Sequence, residues 1–505
     1  MKIIRIIATM LTAALLLAAV PQQKKAPYVP PAPPESVTHG TAHVAGQTIP
    51  YTVRAGTITL RNDKEQITAR MFYTAFTKDR VETTRPVTFF YNGGPGSSTI
   101  WLRMGSFAPM RVQTQNSGMI PNAPFKLINN DYSLIDKTDL VFIDAPNTGW
   151  SRVIGAGDPK DFMGIDQDGR AFTQFIKRYI TQFNRWNSPK FLFGESYGTT
   201  RDCVLVDMLQ KDGVQMNGVV LLSSILNFGL GGLGGGQQIG GGDWSFVNYL
   251  PSEAATAWYY HKAQSGGRPL LAFLNEVEAF AAGQYLRDLA LGSDLPRDRF
   301  ESDVHRLHAY LGISEQYIRD SNLRISYPRF QQALLRNEGT VVGRYDARFN
   351  TNTLDRNADA PDWDPSDVGI SGAFVGLGMQ YMTQTLGYHT NLDYRPTAYG
   401  GLLGARWDMH HNGQDPPANV APDLAEAMTT NPHLRVFSAG GYFDFATPFF
   451  ATNYTLQHLG LAPSLQRHIH YGYYPSGHMV YLNPHALASF KGDLARWYDD
   501  ALAGR

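Results

Sequence analysis

Short apolar runs recur along the chain and alternate with helix-like sequence, and this alternation restricts the fold more than any other feature. The runs are Pro86–Tyr91, Asp139–Ile143, Lys190–Phe193 and Asn217–Leu222, and similar sequence returns at Leu434–Ser438 and His468–Tyr471. A run that is apolar throughout is typical of a strand buried on both faces, as in a parallel sheet covered by helices. The sequence therefore predicts an α/β fold with a central, mostly parallel sheet.

The sequence between these runs predicts how the chain is organised around the sheet. Strand-forming residues from Ile58 to Phe76 flank the turn 61–64, which predicts an antiparallel hairpin at the sheet edge. After Leu222 the chain becomes glycine-rich and then helical to about residue 390, with amphipathic stretches at Thr256–Gln264 and Leu270–Leu291. We interpret this stretch as an insertion, which divides the chain into a first core part (45–225), a mainly helical cap (226–395) and a second core part (396–505).

The N-terminus has the pattern of a secretory signal peptide, because Lys2 and Arg5 precede an apolar run from Ile6 to Val20. We predict a signal peptide over residues 1–20 and a proline-rich tether over 21–44. The run is shorter than the ~20 residues of a membrane span, although an uncleaved anchor is a second reading. The single cysteine, Cys203, excludes an intrachain disulfide. These features predict an exported protein, periplasmic or secreted.

The charge balance gives no support for binding to nucleic acid or to an anionic membrane. Lys plus Arg and Asp plus Glu number 44 each, so the chain has no net field that would attract a polyanion. With 43% apolar residues, the composition is that of a folded globular protein. We expect a neutral or small partner. No histidine or cysteine spacing indicates a metal site, and we expect no organic cofactor.

The strongest chemical signal is the segment Gly194–Gly198, which has the pattern G-x-S-x-G between the strand 190–193 and a predicted helix, Thr199–Gln210. This context is that of a nucleophile elbow, in which a sharp turn exposes the serine hydroxyl. Glycines are needed two residues before and after Ser196 because a Cβ would not fit there. The backbone N–H of Tyr197 can then donate to an oxyanion at the helix N-terminus.

Three further groups complete the pattern of a serine hydrolase. The glycine-rich turn Asn92–Ser98 follows the strand that ends at Tyr91 and can supply a second oxyanion donor. Downstream, Asp444 and His478 follow the last two predicted strands, so the chain order is Ser, Asp, His. An α/β-hydrolase fold with a helical cap insertion is therefore expected.

Taken together, the motifs resemble those of the serine carboxypeptidases, the S10 peptidase family. The matching segments, in order, are Asn92–Ser98, Asp144–Ser151, Gly194–Gly198, Gly441–Asp444 and Gly477–Val480. The helical middle is only weakly similar, chiefly at Asp364–Ser366 and Leu386–Tyr388, and there it resembles bacterial members. The resemblance implies release of single residues from peptide or protein C-termini without a cofactor.

The resemblance also implies a role for each residue of the catalytic group. Ser196 is expected to be the nucleophile, His478 the general base and then acid, and Asp444 the group that orients His478. The N–H groups of Gly94 and Tyr197 are expected to form the oxyanion hole.

Recognition of the substrate's C-terminal carboxylate is implied for Asn92, Gly93 and Glu195. Glu195 must keep its proton to donate to a carboxylate, which burial favours. The family's Glu-Leu-Gly-Pro segment appears here as Met104–Pro109, so the second carboxyl is missing. We hypothesise a weaker preference for acid pH, with Arg103 as a conceivable substitute for binding the substrate carboxylate. The family's proline after Gly-His-Met-Val is Tyr481 here, which is expected to change the pocket wall only.

Three other sequence signals and two other functions compete with this interpretation. Gly229–Gly234 matches a dinucleotide fingerprint but continues into more glycine, which favours a loop. The pair His410–His411 lacks a second ligand cluster and indicates surface or cap histidines, and Asp144 is a weak alternative acid. An esterase or acyltransferase with the same triad is the first alternative function. A non-catalytic binding protein on the same scaffold is the second.

Overall fold

The computed structural model describes residues 28–230, 242–398 and 407–503, and its largest element is a ten-stranded sheet. Two additional strand pairs lie outside this sheet, β5 with β6 and β11 with β12. The strands are β1 (Ser36–Val44), β2 (Gln47–Arg61), β3 (Ile67–Lys78), β4 (Val87–Tyr91), β5 (Met110–Val112), β6 (Leu127–Asn129), β7 (Asp139–Ile143), β8 (Arg152–Val153), β9 (Lys190–Glu195), β10 (Gly218–Leu222), β11 (Thr340–Val342), β12 (Asn350–Asn352), β13 (Arg435–Gly441) and β14 (Ile469–Tyr474).

The strand order in the large sheet is β1-β2-β3-β7-β4-β9-β10-β13-β14, with β8 paired to β3. The first three pairings along this order are antiparallel, and all pairings from β7 to β14 are parallel. The prediction of a mostly parallel sheet is confirmed. The predicted antiparallel hairpin is β2–β3, but it lies one strand in from the edge because β1 pairs with β2.

Helices follow or separate the strands throughout. They are α1 (Ile100–Gly105), α2 (Ile165–Gln182), α3 (Tyr197–Lys211), α4 (Asp243–Tyr259), α5 (Leu270–Phe280), α6 (Leu286–Leu291), α7 (Arg297–Leu311), α8 (Glu315–Asp320), α9 (Tyr327–Ala333), α10 (Pro365–Gln380), α11 (Ala421–Thr430), α12 (Phe449–Gln457), α13 (Pro463–Gln466) and α14 (Pro484–Leu502). A π-helical turn at Ala281–Tyr285 joins α5 to α6, so this stretch is continuous over the predicted range 270–291.

The parallel strands are buried on both faces, and alternate residues therefore belong to different cores. On one face, Phe90 and Phe193 pack in a cluster with Phe490 of α14. On the other face, Phe89 and Leu192 belong to a cluster with residues of α2, α3 and α11. Burial on both faces explains why these strands read as continuous apolar runs.

The helices α4 to α9 form a third core of their own, which includes Phe273, Leu307 and Phe330. Phe443 and Phe449, from the segment after β13, belong to the same cluster. The cap therefore packs directly against the loop that carries Asp444.

The sheet begins earlier than expected. The predicted core starts at residue 45, but β1 pairs with β2 from Ser36 opposite Ala55 to Val44 opposite Gln47. Most β1 side chains are exposed or half-buried, so the strand lacks the apolar run that marks the others. An edge strand needs only one partner, and its polar composition hides it from a hydrophobicity pattern.

The predicted helix at Thr256–Gln264 extends too far, because α4 ends at Tyr259. Within the part of the chain that the structure describes, no helix combines the length and hydrophobicity needed to cross a membrane. The predicted signal peptide lies outside the described residues, as does most of the glycine-rich fingerprint, from residue 231 onward.

Candidate active site

The predicted site residues converge at the carboxyl ends of the parallel strands. Ser196 follows β9 directly, and Asn92 follows β4, its neighbour in the sheet. Asp444 lies three residues after β13 and His478 four residues after β14. Ser196 and His478 line one pocket. The carboxyl edge of an open α/β sheet is the usual position of a ligand site.

Ser196 adopts the strained backbone of a nucleophile elbow, with φ 61° and ψ −129°. Its N–H donates to the Leu222 carbonyl of β10 over 3.0 Å, which fixes the turn. A Cβ at Gly194 would overlap the Gly198 carbonyl, and a Cβ at Gly198 would lie 2.8 Å from the Tyr91 oxygen. The two glycines therefore allow the close crossing of strand and helix that the G-x-S-x-G pattern predicts.

His478 is held from one side by a carboxylate. Its Nδ1 lies 2.8 Å from Oδ2 of Asp444, and both side chains are almost completely buried. Asp444 Oδ1 accepts the backbone N–H groups of Ala446 at 2.7 Å and Thr447 at 3.0 Å. The Thr447 hydroxyl donates to Oδ2 of the same carboxylate over 2.8 Å. Burial lowers the pKa of His478, but Asp444 and Glu195 outweigh this effect, so the pKa is raised.

A cap segment holds the histidine loop from behind. The N–H of His478 donates to the Tyr345 carbonyl over 2.6 Å, and the N–H of Gly477 to Asp346 over 3.2 Å. Arg348 donates to the Pro475 carbonyl over 2.8 Å. Sequence reasoning missed these residues, since they lie about 130 positions before the loop that they support.

Asp364 explains one of the weak family similarities in the cap. Its carboxylate caps α10 by accepting from the N–H of Ser366 at 2.9 Å. It also accepts from the backbone N–H groups of Arg344 at 2.9 Å and Tyr345 at 3.0 Å. Asp364 thereby links the start of α10 to the segment behind His478.

The glycine-rich turn lies directly on the start of α3. A Cβ at Gly93 would overlap the backbone nitrogen of Tyr197, and Gly94 adopts φ 114°. Gly93, Gly94 and Ser196 line the same pocket. The N–H of Tyr197 belongs to the first turn of α3, where backbone donors have no intrahelical acceptor. The two predicted oxyanion donors are thus brought to the position of the nucleophile.

Glu195 and Asn92 form a buried pair at one end of this pocket. The Asn92 amide donates to Oε1 of Glu195 over 2.9 Å, and each side chain is 3% exposed. Oε1 therefore acts as the acceptor oxygen, which leaves Oε2 to carry a proton. Burial raises the pKa of Glu195 to about 7, although His478 opposes the rise. The carboxyl is thus largely protonated in mildly acid solution even without a second carboxyl beside it.

The suggested substitute, Arg103, is not available to a substrate. Its side chain is completely buried and its guanidinium donates to the Tyr394 hydroxyl over 3.0 Å. It also opposes the burial effect that raises the pKa of Asp144. Met104 faces α10, where it lies near Gly378. Neither side chain lines the pocket.

Tyr481 was expected to change the pocket wall, but its side chain lies behind the wall. It is completely buried, and a Cβ at Gly105 would lie 2.6 Å from its ring. Its hydroxyl lies beside Glu195 and Asn92, and the contact with Glu195 raises the pKa of Tyr481 further above the level set by burial.

Five other residues line the pocket and were not singled out from the sequence. They are Trp101, Tyr345, Asp367, Thr397 and Met479. Met479 alone could have been found, since it lies inside the His478 motif. The others come from α1, the cap and a loop, and no local pattern distinguishes them.

The remaining candidates have structural positions. Asp144 follows β7 and accepts the Thr99 N–H over 2.8 Å, so it anchors the start of α1. His411 was expected in the cap or on the surface, but it is 4% exposed. Its ring lies between Asp166 and Asp423, with one nitrogen 2.6 Å from each. It therefore joins α2 to α11.

A larger groove, of about 920 Å³, lies over α2 and contains none of the predicted site residues. Its lining includes Arg61, Arg170, Lys177 and Trp186. Among the described residues, no group of three or more His, Cys, Asp or Glu side chains could hold a metal ion. The chemistry of the smaller pocket, which combines a nucleophile, a base and oxyanion donors, identifies it as the candidate active site.

Comparison with known proteins gives a family for part of the chain. Residues 46–217 match the family model described as serine carboxypeptidase. A "Carboxypeptidase Y homolog" from Arthroderma benhamiae is 27% identical over 128 residues, or 25% of this chain. The "Pheromone-processing carboxypeptidase KEX1" of Saccharomyces cerevisiae is 30% identical over 158 residues, or 29% of this chain. These alignments span only 23% and 20% of the two relatives' own lengths.

The similarity of fold extends further than the similarity of sequence. The crystal structure of the Saccharomyces cerevisiae prohormone-processing carboxypeptidase, KEX1(DELTA)P, aligns with a TM-score of 0.53 and 17% identity. The alignment covers 89% of this chain and 92% of the other. The two proteins therefore share a fold.

Proposed function

We propose that the chain, whose residues 46–217 match the serine carboxypeptidase model, removes single residues from peptide C-termini by way of an acyl-enzyme on Ser196. The observation that carries this proposal is the combination of Ser196 and His478 in one pocket with the buried Glu195, whose pKa is raised to about 7 by burial. A nucleophile and base alone fit any serine hydrolase. A carboxyl that keeps its proton adds a donor for a substrate's own carboxylate.

In the first step the Ser196 hydroxyl attacks the carbonyl carbon of the last peptide bond, and His478 Nε2 takes the hydroxyl proton. Asp444 on Nδ1 fixes the tautomer and stabilises the imidazolium that forms. The carbonyl oxygen becomes an oxyanion and accepts from the N–H groups of Gly94 and Tyr197. As the C–N bond breaks, His478 returns the proton to the leaving amine.

In the second step a water molecule attacks the ester carbonyl of the acyl-enzyme. His478 takes a proton from the water, and the Ser196 oxygen leaves with that proton as the ester bond breaks. The products are the shortened peptide and a free amino acid. The groups required are those of the first step, so no cofactor enters the scheme.

Recognition of the C-terminus is assigned to Asn92, the N–H of Gly93 and Glu195. An ionised Glu195 would repel the substrate's carboxylate, whereas the protonated acid donates a hydrogen bond to it. The Asn92 amide occupies Oε1, which directs the Oε2 proton away from Asn92. Free-acid C-termini should therefore be favoured over amidated ones below about pH 7, which is the pKa of Glu195.

The test is release of the C-terminal amino acid from an N-blocked dipeptide, compared with the dipeptide's C-terminal amide, between pH 5 and 8. Release confined to the free acid and abolished by Ser196→Ala would support the proposal. Equal turnover of both substrates, or turnover of esters only, would replace it with an esterase or acyltransferase that uses the same triad. Failure of a fluorophosphonate to label Ser196 would favour a non-catalytic binding protein.

We also propose that the protein is exported, with residues 1–20 as a signal peptide and a periplasmic or secreted destination. The charged start and the apolar run from Ile6 to Val20 support this proposal. N-terminal sequencing of the protein from a periplasmic fraction tests it. A mature N-terminus between residues 18 and 30 is expected, whereas an intact Met1 in the membrane fraction would indicate the anchor.

A further inference from the structure

At and behind the proposed carboxylate-binding end of the pocket, two buried polar atoms lack a hydrogen bond of normal geometry. Among the described residues, Oε2 of Glu195 and the hydroxyl of Tyr481 both lack one. A buried polar group that makes no hydrogen bond costs free energy, so each such atom in a folded protein needs an explanation. Two of them side by side point to a shared purpose.

The position of Tyr481 is set by packing on all sides. Its ring packs against Gly105, where a Cβ would approach two ring carbons to 2.6 Å. The side chain is completely buried in the core that also contains Met104 and Phe374. The ring therefore cannot swing toward solvent, and its hydroxyl stays beside Glu195 and Asn92.

Asn92 sets the directions of the protons in this group. Its Oδ1 accepts the N–H of Leu102 over 3.0 Å, which fixes the side-chain amide. One amide N–H donates to Oε1 of Glu195 over 2.9 Å. The second amide proton can face the Tyr481 oxygen, which would turn the phenolic proton toward Glu195.

We propose that Tyr481 is a positioning residue of the carboxylate-binding site: its hydroxyl donates to Glu195 and holds Oε2 toward the C-terminal carboxylate of the substrate. This inference rests on the proposed carboxypeptidase function. Tyr481 does not line the pocket and acts through Glu195. Where the family has a second carboxyl beside the glutamate, the hydroxyl of Tyr481 lies beside Glu195 in the described part of this chain.

The proposal gives a direction for the effect on titration. A hydroxyl that donates to a carboxylate stabilises the ionised form, and the contact with Tyr481 lowers the pKa of Glu195. The other groups that face Glu195 are His478, Asp444 and Asn92, and none of these changes in Tyr481→Phe. Removal of the hydroxyl should therefore raise the pKa of Glu195, by about one pH unit if one charge-assisted hydrogen bond is lost.

The experiment compares the wild-type protein, Tyr481→Phe and Tyr388→Phe. Tyr388 is the matched control because its hydroxyl is also buried without a partner among the described residues, and it faces Arg70 and Asp144. The first measurement is a pH titration of the Glu195 side-chain carboxyl by carbon-13 NMR, with Glu195→Gln used to assign the signal. This readout does not depend on the reaction that the enzyme catalyses.

In Tyr481→Phe, we expect the Glu195 midpoint to move to higher pH by about one unit, and in Tyr388→Phe to stay at the wild-type value. The alkaline fall of kcat/KM for the free-acid dipeptide should move by the same amount. An unchanged midpoint in Tyr481→Phe, or an equal shift in Tyr388→Phe, would overturn the role of Tyr481. A shifted midpoint with no preference for the free acid would support the Tyr481–Glu195 bond and refute the carboxypeptidase function instead.

Discussion

The raised pKa of Glu195 makes the stability of the protein depend on pH, and Glu195→Gln should remove that dependence. The folded-state pKa of about 7 exceeds the ordinary glutamate value of 4.5 because the side chain is buried. The folded state therefore binds the proton more tightly than the unfolded state, and this stabilisation is lost as pH rises through 7. Between pH 5 and pH 8 the loss from this one group amounts to about 2 to 3 kcal/mol.

The assay is urea unfolding at pH 5 and pH 8, followed by tryptophan fluorescence, on the wild-type protein and the variant. Glutamine keeps the acceptor for Asn92 but does not titrate, so the fall in unfolding free energy between the two pH values should be about 2 to 3 kcal/mol smaller than in wild type. Glu65→Gln, at a side chain that is 80% exposed, is the control and should keep the wild-type difference. If wild type and Glu195→Gln lose the same free energy, the buried, protonated carboxyl is refuted.

Two further predictions concern the oxyanion turn and the buried histidine. Gly93→Ala should lower kcat/KM by about 100-fold or more, because its Cβ would push the turn away from Tyr197. The control is Gly283→Ala, which should retain wild-type activity because no atom lies within 4 Å of the added Cβ. Equal kinetics in both variants would contradict this geometry. The pKa of His411 is raised, because Asp423 and Asp166 outweigh the effect of burial. The charged His411 therefore stabilises the fold below pH 6.5, and this stabilisation is lost as pH rises through the folded-state pKa. His411→Gln should therefore cost more unfolding free energy at pH 6 than at pH 8.5, and a cost that is equal or larger at pH 8.5 would show that His411 is not a charged link.

Much of the fold could be predicted because the parallel strands are buried on both faces and therefore consist mostly of apolar residues. The predicted run Asp139–Ile143 has the same bounds as β7, and the other predicted parallel strands differ by at most three residues at an end. By contrast, β1 was missed, since an edge strand with one covered face needs few apolar residues.

Some residues of the site could also be predicted from the sequence, and others could not. Ser196, Asp444 and His478 could be selected because each follows a strand, and the carboxyl ends of parallel strands meet at one edge of the sheet. The segment 345–348 could not be selected, because its hydrogen bonds to the His478 loop join residues about 130 positions apart.

The sequence by itself determined the elements, their alternation and the residue types that follow them, because these depend on local backbone preferences and on local burial patterns. Only the tertiary structure decided where the charges and hydroxyls lie. Arg103 and Tyr481 are both near site motifs in the sequence, yet Arg103 is turned toward Tyr394 and Tyr481 toward Glu195. That difference arises from packing against α10 and Gly105, which are contacts between segments that no local pattern connects.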